Sequence, residues 1–525
     1  MSCGPDSPSR DPDVLLRLLA EERALRVGAE EARDLYKAQY DQLRQLVFGK
    51  RSERVVAAVP EQGALDLGDI SDVPAVANDN GATEPPARSR PQKPAARNIG
   101  RLPLHLPRVE VVIEPEDCAM PGCGRVRIGE EVTEALDMVP AILRVIRTIR
   151  PKYACAACAA GVLQAPAPER AVTGGMATNA LLAFVVVARF AWHLPYYRQA
   201  GIFSGQGVAI DRETLCRWAG RVAWWLRPLY EVILGHIRSQ DYVYCDETRL
   251  HRLDPGRKRT KVCQMWLQSI DQRPWGGPAA PAVGYVFSES RSAAEVAGQL
   301  AGFSGTLHVD GYEAYKTLAR QRAGDDRPIR LAFCLAHARR KFVDVHEATG
   351  SETALAVIAK IRSVYAIEAR IRGRTPEERL AVRRAESAPV MQDLKSLAAR
   401  TLGEISAKSS LAAAIKYLLA HWEGLCVFLE DGRVDIDTNA VAREVKPVAL
   451  GRRNSLFAGS NEGGETWAVL ATLINSAKLN GVDPLPWLTD VLDAVVSERI
   501  RINEIARLTP WAWAAERRAA SEKAA

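Results

Sequence analysis

Five short apolar runs between residues 241 and 342 constrain the fold more than any other feature. They are Tyr242–Cys245, Cys263–Ile270, Val283–Phe287, Thr306–Val309 and Ile329–Phe333, and turn residues separate them. Short apolar runs bounded by turn signals read as buried strands. Helical patterns flank this block, over 175–240 before it and over 343–430 after it, where Ala, Arg and Glu dominate. Strands embedded among helices predict an α/β core. At 525 residues the chain has room for three or four domains of about 150 residues each.

Two of the runs lead directly into acids. Tyr242–Cys245 continues into Asp246-Glu247, and Thr306–Val309 into Asp310-Gly311. A carboxylate at the end of a buried strand is costly unless a cation sits beside it. Asp246 and Asp310 on adjacent strands could hold Mg²⁺, which in pairs about 4 Å apart serves phosphoryl transfer. Each Asp taken alone also fits an ordinary strand-end turn. The fifth run is followed by Ala336-His337-Ala338-Arg339-Arg340-Lys341-Phe342. Arg339, Arg340 and Lys341 read either as a solvated helix face or as phosphate contacts near the acids.

Upstream, ten cysteines include two close pairs, Cys118/Cys123 and Cys155/Cys158. Both spacings suit a loop that aims two thiolates at one tetrahedral Zn²⁺, and four protein ligands make such a zinc structural. Arg144, Arg147, Arg150 and Lys152 lie between the pairs and offer a basic face. The six scattered cysteines do not form a secreted disulfide framework, which predicts a reducing cytoplasm. The most apolar run, Ala180–Ala188, stops at Arg189, too short for the roughly 20 residues that span a bilayer.

Leu194–Gly220 reads helix, turn, helix, with Ser204–Gly207 as the turn and Asp211 as an N-cap. The second helix, Arg212–Trp218, turns Arg212, Thr214 and Arg217 outward. The pattern fits both a DNA-groove reader and a plain helical hairpin. Asp13–Phe48 is a leucine-bearing helix, either packed on its own protein or forming a short dimerising coiled coil. The linker 55–101 is rich in Pro, Ala and Gly, and its later half carries Arg88, Arg90, Lys93, Arg97 and Arg101. With 70 Lys and Arg against 63 Asp and Glu, the net charge of +7 permits a polyanionic partner without requiring one.

The sequence resembles the insertion sequence 66-type transposases. The resemblance is carried by Leu46–Glu53, the cysteine segment with Arg150–Cys155, Cys245–Thr248, Val309–Tyr312 and Ala336–Phe342. It continues through Arg443, Lys446–Asn454, Leu456–Ser460, Ala477–Pro484 and Pro510–Trp513. It implies an RNase H-like core in which two Asp and one Glu bind Mg²⁺, and cleavage and strand transfer at the ends of a mobile DNA element. Asp246 and Asp310 occupy the first two acidic positions, and 343–430 becomes a helical insertion before the third. A homo-oligomer and accessory proteins of the same element are further implied partners.

At the third position this chain departs from the family. The family has Asn, two residues, then Glu-Arg; here Asn439 is followed by Ala440, Val441 and then Ala442-Arg443. Glu444 lies two residues on, about 200° around a helix. Either the site recruits Glu444, Asp437 or another acid, or this copy binds DNA without catalysing its chemistry. The first cysteine pair is also spaced by four residues where the family commonly has two. The expected organisation is an N-terminal helix (1–54), a basic linker (55–101), a zinc-binding β module (102–170) and a helical DNA-binding region (171–240). The core (241–342), the insertion (343–430), the rest of the core (431–485) and a C-terminal segment (486–525) follow.

Overall fold

The computed structural model describes residues 169–524, apart from Lys258 and Arg327, together with Leu143 and two short strands. The N-terminal helix, the linker and all four paired cysteines lie outside the described residues. The short strands, β1 (Lys152–Ala154) and β2 (Val162–Gln164), pair antiparallel with Lys152 opposite Gln164.

Among the described residues, three helices precede the main sheet: α1 (Asn179–Phe190), α2 (Tyr196–Gly205) and α3 (Arg212–Arg238). Asp211 caps α3 by accepting a hydrogen bond from the Thr214 amide at 2.6 Å. The helix runs on to Arg238, well past the expected end at Trp218. Leu226, Leu229, Ile233 and Ile237 continue its apolar stripe into the core.

The sheet has five strands in the order β5-β4-β3-β6-β7. These are β3 (Tyr242–Asp254), β4 (Arg259–Ile270), β5 (Ala282–Ser288), β6 (Gly305–Val309) and β7 (Ile329–Phe333). All five expected runs are strands. β3, β4 and β5 form an antiparallel meander, whereas β6 pairs parallel with β3, and β7 parallel with β6. Helices α4 (Ala293–Gln299) and α5 (Glu313–Gln321) make the crossovers. β3 lies at the centre and is buried on both faces, which explains the unbroken apolar run at its start. It does not stop at Asp246: Thr248 and Leu250 stay buried, and the ladder with β4 runs to Asp254. The first acid is therefore within a strand and not at its end.

α6 (Leu335–Thr349) follows β7. Residues 343–430 are helical as expected: α7 (Glu352–Ile371), α8 (Pro376–Val382), a π-helical turn, α9 (Ala388–Glu404), α10 (Ser410–Ala420) and α11 (Trp422–Leu425). The segment after them is also mostly helical, in α12 (Asn439–Ser455), α13 (Asn461–Leu479), α14 (Pro484–Val496) and α15 (Pro510–Ala524). The glycines Gly463 and Gly464 lie in the first turn of α13, where Ser460 accepts from the Gly463 amide at 3.1 Å. α13 lies along β5, so Thr472 and Ser476 accept from the Tyr285 and Val283 amides of that edge strand at 2.9 and 3.2 Å. An edge covered in this way offers no template for another chain. α12 packs across β3 and β4.

Candidate active site

The register between β3 and β6 pairs Tyr242 with Thr306, Val243 with Leu307 and Tyr244 with His308. Two places further along, Asp246 and Asp310 fall at the same level. β6 ends at Val309 while β3 continues beside β4, so the acids sit where the parallel pair separates. Ligands of open α/β sheets bind at such carboxyl ends. Asp310 shapes its own turn by accepting from the Tyr312 amide at 2.8 Å. Gly311 follows with φ +101°, and a Cβ there would lie 2.9 Å from His421 Nε2. Only glycine meets both conditions.

Asp246 keeps an opening to solvent, yet protein surrounds its carboxyl. Burial, reinforced by the charges of Glu247 and Asp310, pushes its pKa up to about 7, against the Glu247 amide and His337, which favour the ionised form. Glu247 rises to about 7 for the same leading reason, with Asp310 next and Arg291 opposing. Arg291 donates through Nε to Glu247 Oε1 at 2.9 Å and reaches the same oxygen with its terminal nitrogen. Glu247 Oε2 is buried and accepts no hydrogen bond, and His337 Nδ1 is likewise buried without a partner. Arg291 also lies over the Tyr312 ring, 3.9 Å from its centroid. Three carboxyl groups thus face one arginine and one histidine, a local excess of negative charge.

The third family position presents no acid. Ala442 lies in the first turns of α12, where its amide donates to the Thr438 carbonyl at 3.0 Å. Glu444 points into a different cluster: burial raises its pKa to about 7, opposed by Arg443, Lys478 and Arg273, while Asp271 adds to it. Neither Asp246 nor Asp310 is among the leading charges acting on it. This is the physical outcome of two residues of helical rotation. Asp437 is half-buried and accepts from the Asn439 amide at 3.0 Å and from its side chain at 2.7 Å. Among the described residues no group of three or more His, Cys, Asp or Glu is arranged to hold a metal ion. The structure therefore brings Asp246 and Asp310 together and sets Glu444 apart.

Of the basic residues, Arg339 and Arg340 are half-buried and Lys341 is exposed, all near the start of α6. Lys341 Nζ stands 4.5 Å from the centroid of Tyr417, whose hydroxyl donates to the Asp310 carbonyl at 2.8 Å. Arg217 is exposed on α3 and donates to Thr214 at 3.0 Å. Arg144, Arg147 and Arg150 lie outside the described residues with Cys118, Cys123, Cys155 and Cys158; Lys152 is described only as backbone in β1. In the sequence Glu247 and His337 sit inside the strand-end and basic motifs with no signal of a role in the spacing, and nothing there singles out Arg291. A charged residue in a run otherwise buried was the available signal for Glu247.

Comparison with known proteins defines the class. Residues 174–466, more than half of the chain, match the model described as Transposase IS66 family. Residues 117–159 match the zinc-finger binding domain of transposase IS66, and this segment contains all four paired cysteines. Residues 472–511 match the IS66 C-terminal element, and 35–111 match a model described as Transposase C of IS166 homeodomain. Three relatives come from Sinorhizobium fredii (strain NBRC 101917 / NGR234). Uncharacterized protein y4jD is 58% identical over 91% of this chain and 94% of its own length. Uncharacterized protein y4qI is 40% identical over 89% and 87%. Uncharacterized protein y4hP is 34% identical over 90% and 87%. The domains define a DNA-binding transposase with a zinc finger. The chain belongs to the IS66 transposase family. No helix among the described residues is long and apolar enough to cross a membrane.

Proposed function

We propose that this transposase acts in the cytoplasm on the ends of its own mobile element, cleaving a phosphodiester bond and transferring the freed 3′ end into target DNA. The alignment of Asp246 with Asp310 on adjacent parallel strands carries the reading. The strand order, an antiparallel meander followed by two parallel additions, supports an RNase H-like core. Asp246 and Asp310 suit Mg²⁺, which takes one or two carboxylates and fills its remaining sites with water and substrate phosphate. The buried, unpartnered oxygen of Glu247 and the surplus of negative charge fit a cation at this place. A bound divalent ion supplies Lewis-acid polarisation of a phosphate oxygen and a more acidic water. Asp246 and Asp310 hold the charge that orients it, and Arg291, Arg339, Arg340 and Lys341 hold the DNA backbone. Cys118, Cys123, Cys155 and Cys158 form the structural zinc site, and Arg144, Arg147, Arg150, Lys152 and Arg217 extend the DNA-binding face.

Ala442 and the separate setting of Glu444 favour a second reading, a copy that binds element ends but does not cut them. Cleavage and strand transfer with labelled element ends and Mg²⁺ separates the two. The active reading expects Asp246→Asn and Asp310→Asn each to lower product formation by more than about 100-fold, beyond the loss from an outer-shell partner. Product from either variant at the wild-type rate overturns the assignment. The inactive reading expects salt-sensitive DNA binding and no nicking by the wild type, with cleavage appearing in Ala442→Glu.

A further inference from the structure

The two strands that carry the aspartates are tied to one residue outside the sheet. Asp435 lies in the segment 430–438, between the helical insertion and α12. Its carboxylate accepts from Tyr244 Oη at 2.7 Å and from a terminal nitrogen of Arg379 at 2.6 Å. Its amide donates to Tyr242 Oη at 3.0 Å, and that hydroxyl hydrogen-bonds with His308 Nδ1 at 2.7 Å. Tyr244 precedes Asp246 by two residues and His308 precedes Asp310 by two. The period of β3 puts Tyr244 on the same face as Asp246, while Asp310 follows directly on the last residue of β6. Tyr244 and His308 are register partners, with ring centroids 5.6 Å apart.

The other end of the connection lies in the insertion. Arg379 is 2% exposed and also reaches Glu368 at 3.5 Å. Arg383 is fully buried and donates to both oxygens of Glu368 at 2.7 Å, and to the carbonyls of Phe428, Asp431 and Gly432. Well-packed apolar residues match or exceed the stability of a buried ion network, so such a network is weak evidence of a role in stability alone. What this one does is join α7, α8 and the segment before α12 to β3 and β6 immediately behind the acids.

We propose that Asp435 is a positioning residue of the two-aspartate site: through Tyr244, and through Tyr242 and His308, it fixes the spacing of the strands that bear Asp246 and Asp310. The inference rests on the reading of those aspartates as a metal site. Asp435 touches no reacting atom, and the insertion thereby supports the site from behind.

The test is Mn²⁺ binding to the full-length protein, followed by electron spin resonance, with thermal unfolding of the metal-free protein measured alongside. Tyr244→Phe keeps the ring and deletes only the hydroxyl. It is expected to weaken Mn²⁺ binding about 10-fold, the lower end of the effect of losing an outer-shell partner. Asp435→Asn is expected to do the same where it folds. Val357→Ala, in the buried core of α7, is the control: it lowers thermal stability and leaves Mn²⁺ affinity unchanged. Wild-type affinity in Tyr244→Phe, or an equal loss in Val357→Ala, overturns the inference while leaving the site reading intact. No Mn²⁺ binding by the wild type, or binding that survives Asp246→Asn, overturns the site reading and this inference with it.

Discussion

Ala442 offers a methyl group where the family pattern has a carboxylate, and the acid two residues on faces other partners. Asp246 is held in an unusual state. Asp246 rises from an ordinary value of 3.8 to about 7 because its carboxyl is buried beside Glu247 and Asp310. The folded protein keeps this proton up to about pH 7, whereas the unfolded chain releases it near 3.8. A raised carboxyl pKa means that the native state binds more protons, so stability falls as pH rises through this window. Glu247 and Glu444 have the same sign. The metal-free protein is therefore expected to lose melting temperature between about pH 4.5 and 7. Asp246→Asn reduces that loss without abolishing it, so the difference in melting temperature between variant and wild type grows more positive as pH increases. A difference that does not change with pH contradicts the buried state of Asp246.

At the scale of elements, the strands were legible because β5, β6 and β7 are short, mostly apolar and bounded by turns, and because β3 and β4 contain the runs Tyr242–Cys245 and Cys263–Ile270. The course of β3 beyond Asp246 was not. Its second half holds Arg249, His251 and Arg252, polar residues tolerated because β4 supplies the ladder and because Ala458, after α12, pairs with the strand's far end through His251 and Leu253. The placement of Asp246 and Asp310 side by side could be read from strand order and the family pattern together. The link from Tyr244 to Asp435 could not, since 191 residues separate the partners and neither lies in a spacing that signals contact. That link depends on a close approach. A Cβ on Gly432 would lie 1.8 Å from the Pro376 carbonyl oxygen at the start of α8. Backbone cannot move aside as a side-chain tip can. Gly432→Ala is expected to cost about 1–3 kcal/mol, the usual range for overpacking. Urea unfolding measures this, and an unchanged midpoint contradicts the contact.

The whole molecule joins a zinc-finger segment, a helical region, a sheet and a long helical insertion in one chain. Its modest net charge of +7 says little about this arrangement; the cations gathered beside the acids, and the family match, say more. With the four cysteines inside the matched zinc-finger segment, the purified protein is expected to carry about one equivalent of zinc. Cys155→Ser is expected to lose the metal and weaken DNA binding. Elemental analysis and a gel-shift titration measure both effects, and full zinc content in the variant removes Cys155 from the ligand set. The order of segments along the chain has a consequence of its own. Synthesis proceeds from the N-terminus, so both aspartates leave the ribosome well before Asp435 does. A polypeptide released early, or cut inside the insertion, carries the two carboxylates without the residue that bonds to their strands. The bonds that tie those two strands to Asp435 are thus completed only once most of the protein has been made.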